Sequence, residues 1–246
     1  MSEAILQTQG LVKRYGGLVV TDDVSIEVRR GELHAVIGPN GAGKTTLINQ
    51  LCGEAASCAG RITFAGEDVT PLAVHARVRR GLIRSYQISS VFQEFTVREN
   101  VVFAAMAAKQ GAWGAWMPML RSERFCKLAD DALASVELQA KAQVPASELS
   151  YGERRQLELA MVIAAEPRML LLDEPMAGMS KQESTKVVAL LQTLKTRYPI
   201  LLIEHDMPAV FALADRLTVL VSGRVIFTGT PAEAKADPEV RAVYLG

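Results

Sequence analysis

Apolar residues along this chain fall into two kinds of run. The first is short and nearly solid: "ELHAVIG", "RMLLLDEP" and "PILLIEHD" lack polar alternation, as strands buried on both faces require. The second recurs at helical spacing, at roughly 71–81, 97–110, 122–137, 150–165, 181–197 and 207–214. The chain opens on β-rich runs, "AILQTQGLVKRY" and "VVTDDVSIEV", and "GRITFAG" (60–66) adds a strand between glycines. Near the other end, "RLTVLVSGRVIFTG" reads as a hairpin with Ser222-Gly223 at its turn. In the second half solid strands alternate with helices, the pattern of a parallel sheet covered on both faces. Residues 88–148 show no convincing buried strand and read as a helical insert in an α/β core. The expectation is one domain over 1–246, with a helical subdomain over about 88–165.

Composition narrows the class. A chain of 246 residues can bury a sizeable core. Lys plus Arg equals Asp plus Glu, and the zero net charge lacks the footprint of a dedicated nucleic-acid binder, so no nucleic-acid partner is expected. Cys52, Cys58 and Cys126 are odd in number and at no metal-ligand spacing, which fits a cytosolic chain. The start, "MSEAILQTQG", has no basic segment before an apolar stretch, so no signal peptide is expected. The run "VVFAAMAA" stops at Lys109, well short of the roughly 18 residues a membrane span needs. If the chain works at a membrane, another subunit does the spanning.

Between the strand "LHAVI" and the helix "TTLINQLCG" lies "GPNGAGKT", a match to G-x-x-x-x-G-K-[ST] in the context its mechanism needs. Gly38, Pro39, Asn40, Gly41, Ala42 and Gly43 would curl backbone N–H groups around phosphate oxygens, with the following helix dipole behind them. Lys44 would reach the β- and γ-phosphates, Thr45 would hold Mg²⁺, and Thr46 would add a phosphate contact. "MLLLDEP" supplies carboxylates: strand neighbours point to opposite sides, so Asp173 would hold Mg²⁺ through water while Glu174 faces the attacking water. His205 follows the next solid strand, on the side of the sheet where ligands bind, and Asp206 before Pro208 reads as a helix N-cap. His34 and His75 have contexts that suggest no chemistry.

"ELSYGERRQLELA" (148–160) carries a second phosphate-seeking helix start. Ser150 and Glu153 form a capping box, which leaves Gly152 unexplained. A glycine in a helix's first turn costs about 1 kcal/mol relative to Ala, but lets an anion approach bare N–H groups. One chain with two such ends points to a paired arrangement, with ATP sandwiched between two copies.

At this point the chain resembles the ATP-binding cassette (ABC) ATPases. "LSYGE" is similar to their LSGGQ signature, with Tyr151 and Glu153 as departures. Tyr15 in "VKRYGG" resembles the aromatic residue that stacks on adenine. Gln87 in "IRSYQ" resembles the Q-loop glutamine, which implies a place beside metal and catalytic groups. The motifs fall in family order over nearly the whole chain. The resemblance implies a RecA-like P-loop core with an antiparallel β subdomain and an inserted helical subdomain. It implies catalytic Glu174, His205 and Gln87, and metal contacts from Thr45, Gln87 and Asp173. Ser150 and Gly152 of one cassette would contact the γ-phosphate held by another. After Pro175 the family commonly has an S-A-L-D-like loop; here "AGMS" puts Ser180 at the Asp position.

"TVRENV", "LLIEHDM" and the tail "GTPAEAKADPEVRAVYLG" are similar to ATP-binding subunits of branched-chain amino-acid importers, as is the helical region with "GAWGAWMPML". Importers of urea, short amides or other small carboxylates share much of this pattern; a lipopolysaccharide-export ATPase ranks lower. The implied partners are a second cassette (the same chain or a different one), integral membrane permease subunits and an extracytoplasmic substrate-binding protein, with the chain peripheral on the cytoplasmic face of the inner membrane. Phe92 and Phe95 would either line the permease-docking groove beside Gln87 or pack into the helical insert. Trp113 and Trp116 read as insert packing, and Arg77, Arg79, Arg80 and Arg84 as a solvated face. Against a soluble repair or chromosome-organising ATPase stands the segment from Lys44 to Asp173, too short for the long coiled coil those carry. Against a non-hydrolysing cassette stand Glu174 and His205.

Overall fold

The computed structural model describes residues 3–85, 91–110 and 122–244. Two sheets share the strands. One is antiparallel, ordered β2 (Leu18–Val24), β1 (Ala4–Tyr15), β5 (Ala59–Phe64), β6 (Glu67–Asp68), with β3 (Glu27–Arg29) also pairing β1. The other runs β11 (Arg224–Gly229), β10 (Arg216–Val221), β4 (Leu33–Ile37), β9 (Ile200–Ile203), β8 (Met169–Asp173), β7 (Leu82–Ser85). It is parallel from β10 to β7, and only β11 runs against it, as the hairpin partner of β10.

The solid apolar strands are buried on both faces, as their lack of alternation requires. Along β8 and β9, Leu170, Leu172, Ile200 and Leu202 enter one core; Met169, Leu171, Leu201 and Ile203 enter the other. The second core also holds Leu47, Ile48 and Leu51 of α1 (Lys44–Cys52) and the inner residues of the antiparallel sheet. The first holds α3 (Val97–Gln110), α4 (Glu123–Ser135), α5 (Tyr151–Ala164) and α6 (Lys181–Leu194). Between Val91 and Glu148 the described residues contain one isolated bridge, Thr96 with Pro145, and no strand. No described helix is long and apolar enough to cross a membrane.

The structure departs from the sequence pattern in several places. "VVTDDVSIEV" is not one strand: Asp23 adopts a positive φ of 58°, and the chain breaks into β2 and β3 on separate stretches of β1. The helix expected over 71–81 shortens to α2 (Val74–Arg79), because β7 takes the residues that follow. The pattern did not predict β7, whose "LIRS" is short and carries an arginine. Two further helices follow α7 (Met207–Leu213) and the hairpin: α8 (Pro231–Ala236), capped by Thr230 and Glu233, and α9 (Pro238–Tyr244). Gln87, Trp113 and Trp116 lie outside the described residues.

The basic face of α2 is not uniformly solvated. Arg77 is only 3% exposed, and its guanidinium donates to the carbonyls of Gln50 (2.7 Å), Leu51 (2.8 Å), Thr70 (2.9 Å) and Leu72 (2.9 Å). It thereby satisfies carbonyls at the C-terminal end of α1, where a cation also suits the dipole. Histidine 34 is likewise internal, bonded to Glu32 and Thr218 at 2.8 Å each. Substituting Arg77→Ala should strand those carbonyls and cost roughly 3 kcal/mol. In a thermal melt that corresponds to a fall of about 6–12 °C, and an unchanged melt would remove Arg77 from this bracing role.

Candidate nucleotide site

At the carboxyl ends of β4, β9 and β8, three neighbouring strands, the chain leaves the sheet into the loops carrying the candidate groups. After β4 the backbone tightens through Gly38 to Gly43. Side chains are excluded at both ends: a Cβ on Gly38 would lie 2.2 Å from the Leu220 carbonyl oxygen, and one on Gly43 2.5 Å from that of Val20. Gly43, at φ 102°, is the N-cap of α1, and Gly41, at φ 79°, faces open space. The curl thus has a packed inner side and a free outer side, the form a phosphate cradle needs. Pro39, Asn40, Gly41 and Thr45 are exposed, Thr46 is half-buried, and Ala42 is buried.

Lys44 is buried beneath the loop, its Nζ donating to the Gly38 carbonyl (2.6 Å) and the Pro39 carbonyl (3.0 Å). Burial draws its ammonium below the ordinary lysine range, opposed by the charges of Glu174 and Asp173. Asp173 ends β8 on the α1 side of the sheet, in step with Met169 and Leu171. Its Oδ2 accepts from Arg84 Nη2 at 2.7 Å, and both side chains are nearly buried. Arg84 Nη1 also donates to Asn49 of α1 and to Glu54, each at 2.7 Å. Arg84 is therefore no solvated charge: it ties β7, α1 and the Asp173 carboxylate together, and the sequence pattern missed it. Its position three residues before Gln87 was the available signal.

Glu174 does not continue the strand alternation that Asp173 ends. The strand stops at Asp173, and Glu174 takes a positive φ of 46°, a conformation rare for a long side chain and frequent at functional sites. Its N–H donates to the Ile203 carbonyl at 2.9 Å, and its own carbonyl accepts from Ala177 N–H at 3.1 Å. His205 Nδ1 lies 3.8 Å from Glu174 Oε1 and the imidazole is largely exposed. Beneath both sits Glu204, which sequence reasoning overlooked. Its buried carboxylate accepts from Met176 N–H (3.1 Å), His205 N–H (2.9 Å) and Asp206 N–H (3.4 Å). An acidic residue at the end of a solid apolar strand was the visible signal.

The structure thus brings Gly38–Thr46, Asp173, Glu174 and His205 to one end of the sheet. Tyr15 ends β1 with an exposed ring, paired to Leu18 of β2, whose Val20 carbonyl abuts Gly43. Ser150 and Gly152 make their contacts elsewhere. Ser150 caps α5: its Oγ accepts from Glu153 N–H at 3.4 Å, and Glu153 Oε2 accepts from Ser150 N–H at 2.9 Å. A Cβ on Gly152 would meet Glu183 Oε1 at 3.1 Å. Oxygen donors such as the Thr45 hydroxyl and the free edge of Asp173 suit Mg²⁺, which keeps several waters and leans on substrate phosphates. No cluster of three or more His, Cys, Asp or Glu side chains able to hold a metal occurs among the described residues.

Ser180 caps α6 with a second box: Glu183 Oε2 accepts from Ser180 N–H at 2.9 Å and from its hydroxyl at 2.7 Å. Aspartate can accept from Glu183 N–H as serine does, but it lacks the hydroxyl that donates to Glu183 Oε2 and sets a second carboxylate beside it, so Ser180→Asp and Ser180→Ala should each cost about 1 kcal/mol. Urea denaturation measures both. Turnover of ATP within about tenfold of wild type in Ser180→Asp is the matching expectation, and complete loss would give Ser180 a role beyond the cap.

Comparison with known proteins agrees with this geometry. Residues 21–177 match the family model described as ABC transporter, and residues 224–246 match one described as branched-chain amino acid ATP-binding cassette transporter. The chain is 36% identical over 255 aligned positions to the high-affinity branched-chain amino acid transport ATP-binding protein LivG of Salmonella typhimurium LT2, covering all of this chain and 99% of that one. It is also 36% identical over 247 positions to the lipopolysaccharide export system ATP-binding protein LptB of Acidithiobacillus ferridurans, covering 100% and 98%. Among solved structures, the ADP conformation of MJ1267, an ATP-binding cassette of an ABC transporter, superposes with a TM-score of 0.89 at 28% identity over the full length of both. With a glycine cradle over a buried lysine, two carboxylates whose charges reach that lysine, and this full-length kinship, the chain belongs to the ABC transporter family, as one of its nucleotide-binding ATPases.

Proposed function

We propose that this ATPase drives an importer of branched-chain or related amino acids, as one of two cassettes docked on a permease at the cytoplasmic face of the inner membrane. The observation that carries the substrate class is the tail, residues 224–246, with its match to the branched-chain cassette model. A substrate-binding protein outside the membrane completes the assembly.

In this reading Tyr15 stacks on adenine, and the N–H groups of Gly38–Thr46 wrap the phosphates of ATP. Lys44 exchanges the Gly38 and Pro39 carbonyls for β- and γ-phosphate oxygens. Thr45, Asp173 and Gln87 would hold Mg²⁺, which would neutralise phosphate charge there. Glu174 takes a proton from water as the water oxygen bonds the γ-phosphorus; the bond to the β–γ bridging oxygen breaks, leaving ADP and phosphate. His205 hydrogen-bonds the γ-phosphate. Ser150 and Gly152 of a second cassette cover it from the other side. The domain reading follows the same lines: one cassette over 1–246, with a helical subdomain over about 88–165 reaching toward the permease.

Phe92, Phe95 and Phe103 support the docking surface. Their rings cluster at 5.2 Å (Phe92 to Phe95) and 5.0 Å (Phe92 to Phe103), yet Phe92 stays 43% exposed. A phenylalanine that packs with neighbours and still faces water suits a surface covered by another chain. A second reading, an export ATPase, is favoured by the equal identity to LptB.

Glu174→Gln should keep ATP binding while turnover falls by at least about 10²-fold, and it should trap ATP-dependent pairs in size-exclusion chromatography. Full turnover would remove Glu174 from its role. Tagged chain purified from detergent-solubilised native membranes should bring down integral membrane subunits and a binding protein for amino acids; Phe92→Asp should lose them with its thermal melt unchanged. Lipopolysaccharide-export partners would decide for export, and soluble partners alone would sink the transporter reading of this site.

A further inference from the structure

Tyr151 stands where the family signature has glycine, and its side chain is tied down in spite of being exposed. It opens α5 with a ring 46% exposed. Its hydroxyl donates to the Ala177 carbonyl at 2.7 Å and accepts from Arg155 Nη2 at 3.1 Å. The Arg155 guanidinium also lies over the ring, 5.4 Å from its centroid, and is anchored to Glu158 at 2.7 Å. One turn along, therefore, Arg155 sets the hydroxyl's direction.

The acceptor lies in a consequential place. Ala177 closes the turn that begins at Glu174, its N–H donating to the Glu174 carbonyl at 3.1 Å. The next residue, Gly178, has φ 75°, and a Cβ there would lie 3.3 Å from the Tyr151 hydroxyl. A few residues further, the Glu183 carboxylate, fixed by the Ser180 cap, rests against Gly152. The start of α5 is thus joined at two points to the segment that runs from Glu174 into α6. A glycine at 151 would delete the first of them. Two of the three departures from the family pattern, Tyr151 and Ser180, sit at the two ends of this junction, while Glu153 serves the Ser150 cap.

We infer that Tyr151 is a positioning residue that couples the two nucleotide sites of a cassette pair: through its hydroxyl, the helix start that covers the second copy's γ-phosphate moves with the turn that holds this copy's own Glu174. This rests on the paired-cassette reading. Allosteric coupling requires an element that both sites bias, and the 174–183 segment, bonded to both, is that element. With the link intact, closure over one ATP sets Glu174 at the other. Without it each site responds to its own ATP alone.

The test is Tyr151→Phe, which removes only the hydroxyl and keeps the ring beneath Arg155. Initial ATPase rates of the purified chain are measured against ATP concentration, with pairing of Glu174→Gln followed separately. Wild type should show a Hill coefficient of about 1.5–2, the upper limit being the number of sites, and Tyr151→Phe should fall to about 1. The thermal melt and the Kd for ATP in the presence of EDTA, properties a merely structural role would move, should match wild type. An equal Hill coefficient in Tyr151→Phe overturns the inference and leaves the paired reading standing. A hyperbolic wild-type rate overturns the inference as well, and if Glu174→Gln also fails to pair with ATP, the paired reading falls with it.

Discussion

The carboxylate of Glu204 is buried at the end of β9, and the loops that carry the candidate catalytic groups are bonded to it. Met176 N–H, on the loop after β8, and His205 N–H and Asp206 N–H, on the loop after β9, all donate to it. A buried carboxylate with unfilled lone pairs is costly, so these donors are held in place as firmly as the charge is. That constraint fixes the distance between two loops which backbone pairing alone leaves free beyond Asp173 and Ile203. It sets His205 within 3.8 Å of Glu174 and holds the positive-φ turn at Glu174 between the Ile203 and Ala177 bonds. The placement of Glu174 beside His205 thus rests on a third residue that is itself buried.

Much of the fold was legible because burial leaves a plain trace in sequence. Strands covered on both faces must be solid in apolar residues, and β4, β8 and β9 were each found that way. The glycine loop was legible because its constraint is local: only glycine fits a φ of 102° or a Cβ position occupied by a carbonyl. What escaped depends on partners far along the chain. Arg77 and Arg84 look like surface charge in a basic stretch, and only the folded chain shows carbonyls of α1 around one and Asp173 against the other. The strand β7 escaped for the same reason, since the arginine that interrupts its apolar run is satisfied by groups outside it. Glu204 was hidden by its position beside His205, where a carboxylate at a strand end reads as ordinary polarity.

Two of the departures from the family pattern, at Ser180 and Tyr151, have a shared physical logic. Serine at 180 forfeits a charge yet supplies the same helix cap, and the carboxylate in that cap belongs to Glu183. The negative charge of this cap therefore lies in the first turn of α6, where it faces Gly152. The Gly152 N–H helps hold the Glu183 carboxyl below its ordinary range, after the larger effect of the Ser180 bonds. Tyrosine at 151 then reaches over the same loop to Ala177. Each substitution alone looks like erosion of a motif; together they form one junction between the signature helix and the loop behind Glu174.

That junction bears on how a chain with no translocation pathway among its described helices can drive transport. Binding free energy becomes motion only where two states differ in contacts that the ligand can bias. In the paired reading, ATP held by one copy biases the α5 start of the other. The strong, short bonds at Tyr151 and the shared carboxylate at Glu183 pass that bias to the turn at Glu174 without unfolding anything. The same α5 packs against α3, whose N-terminal end lies beside the exposed Phe92 cluster through the bonds of Asn100 to Phe92. In that reading a shift of α5 would reach Glu174 through its start and the proposed permease surface through its packed face, so that both outputs of the cassette would meet in one helix rather than in separate relays.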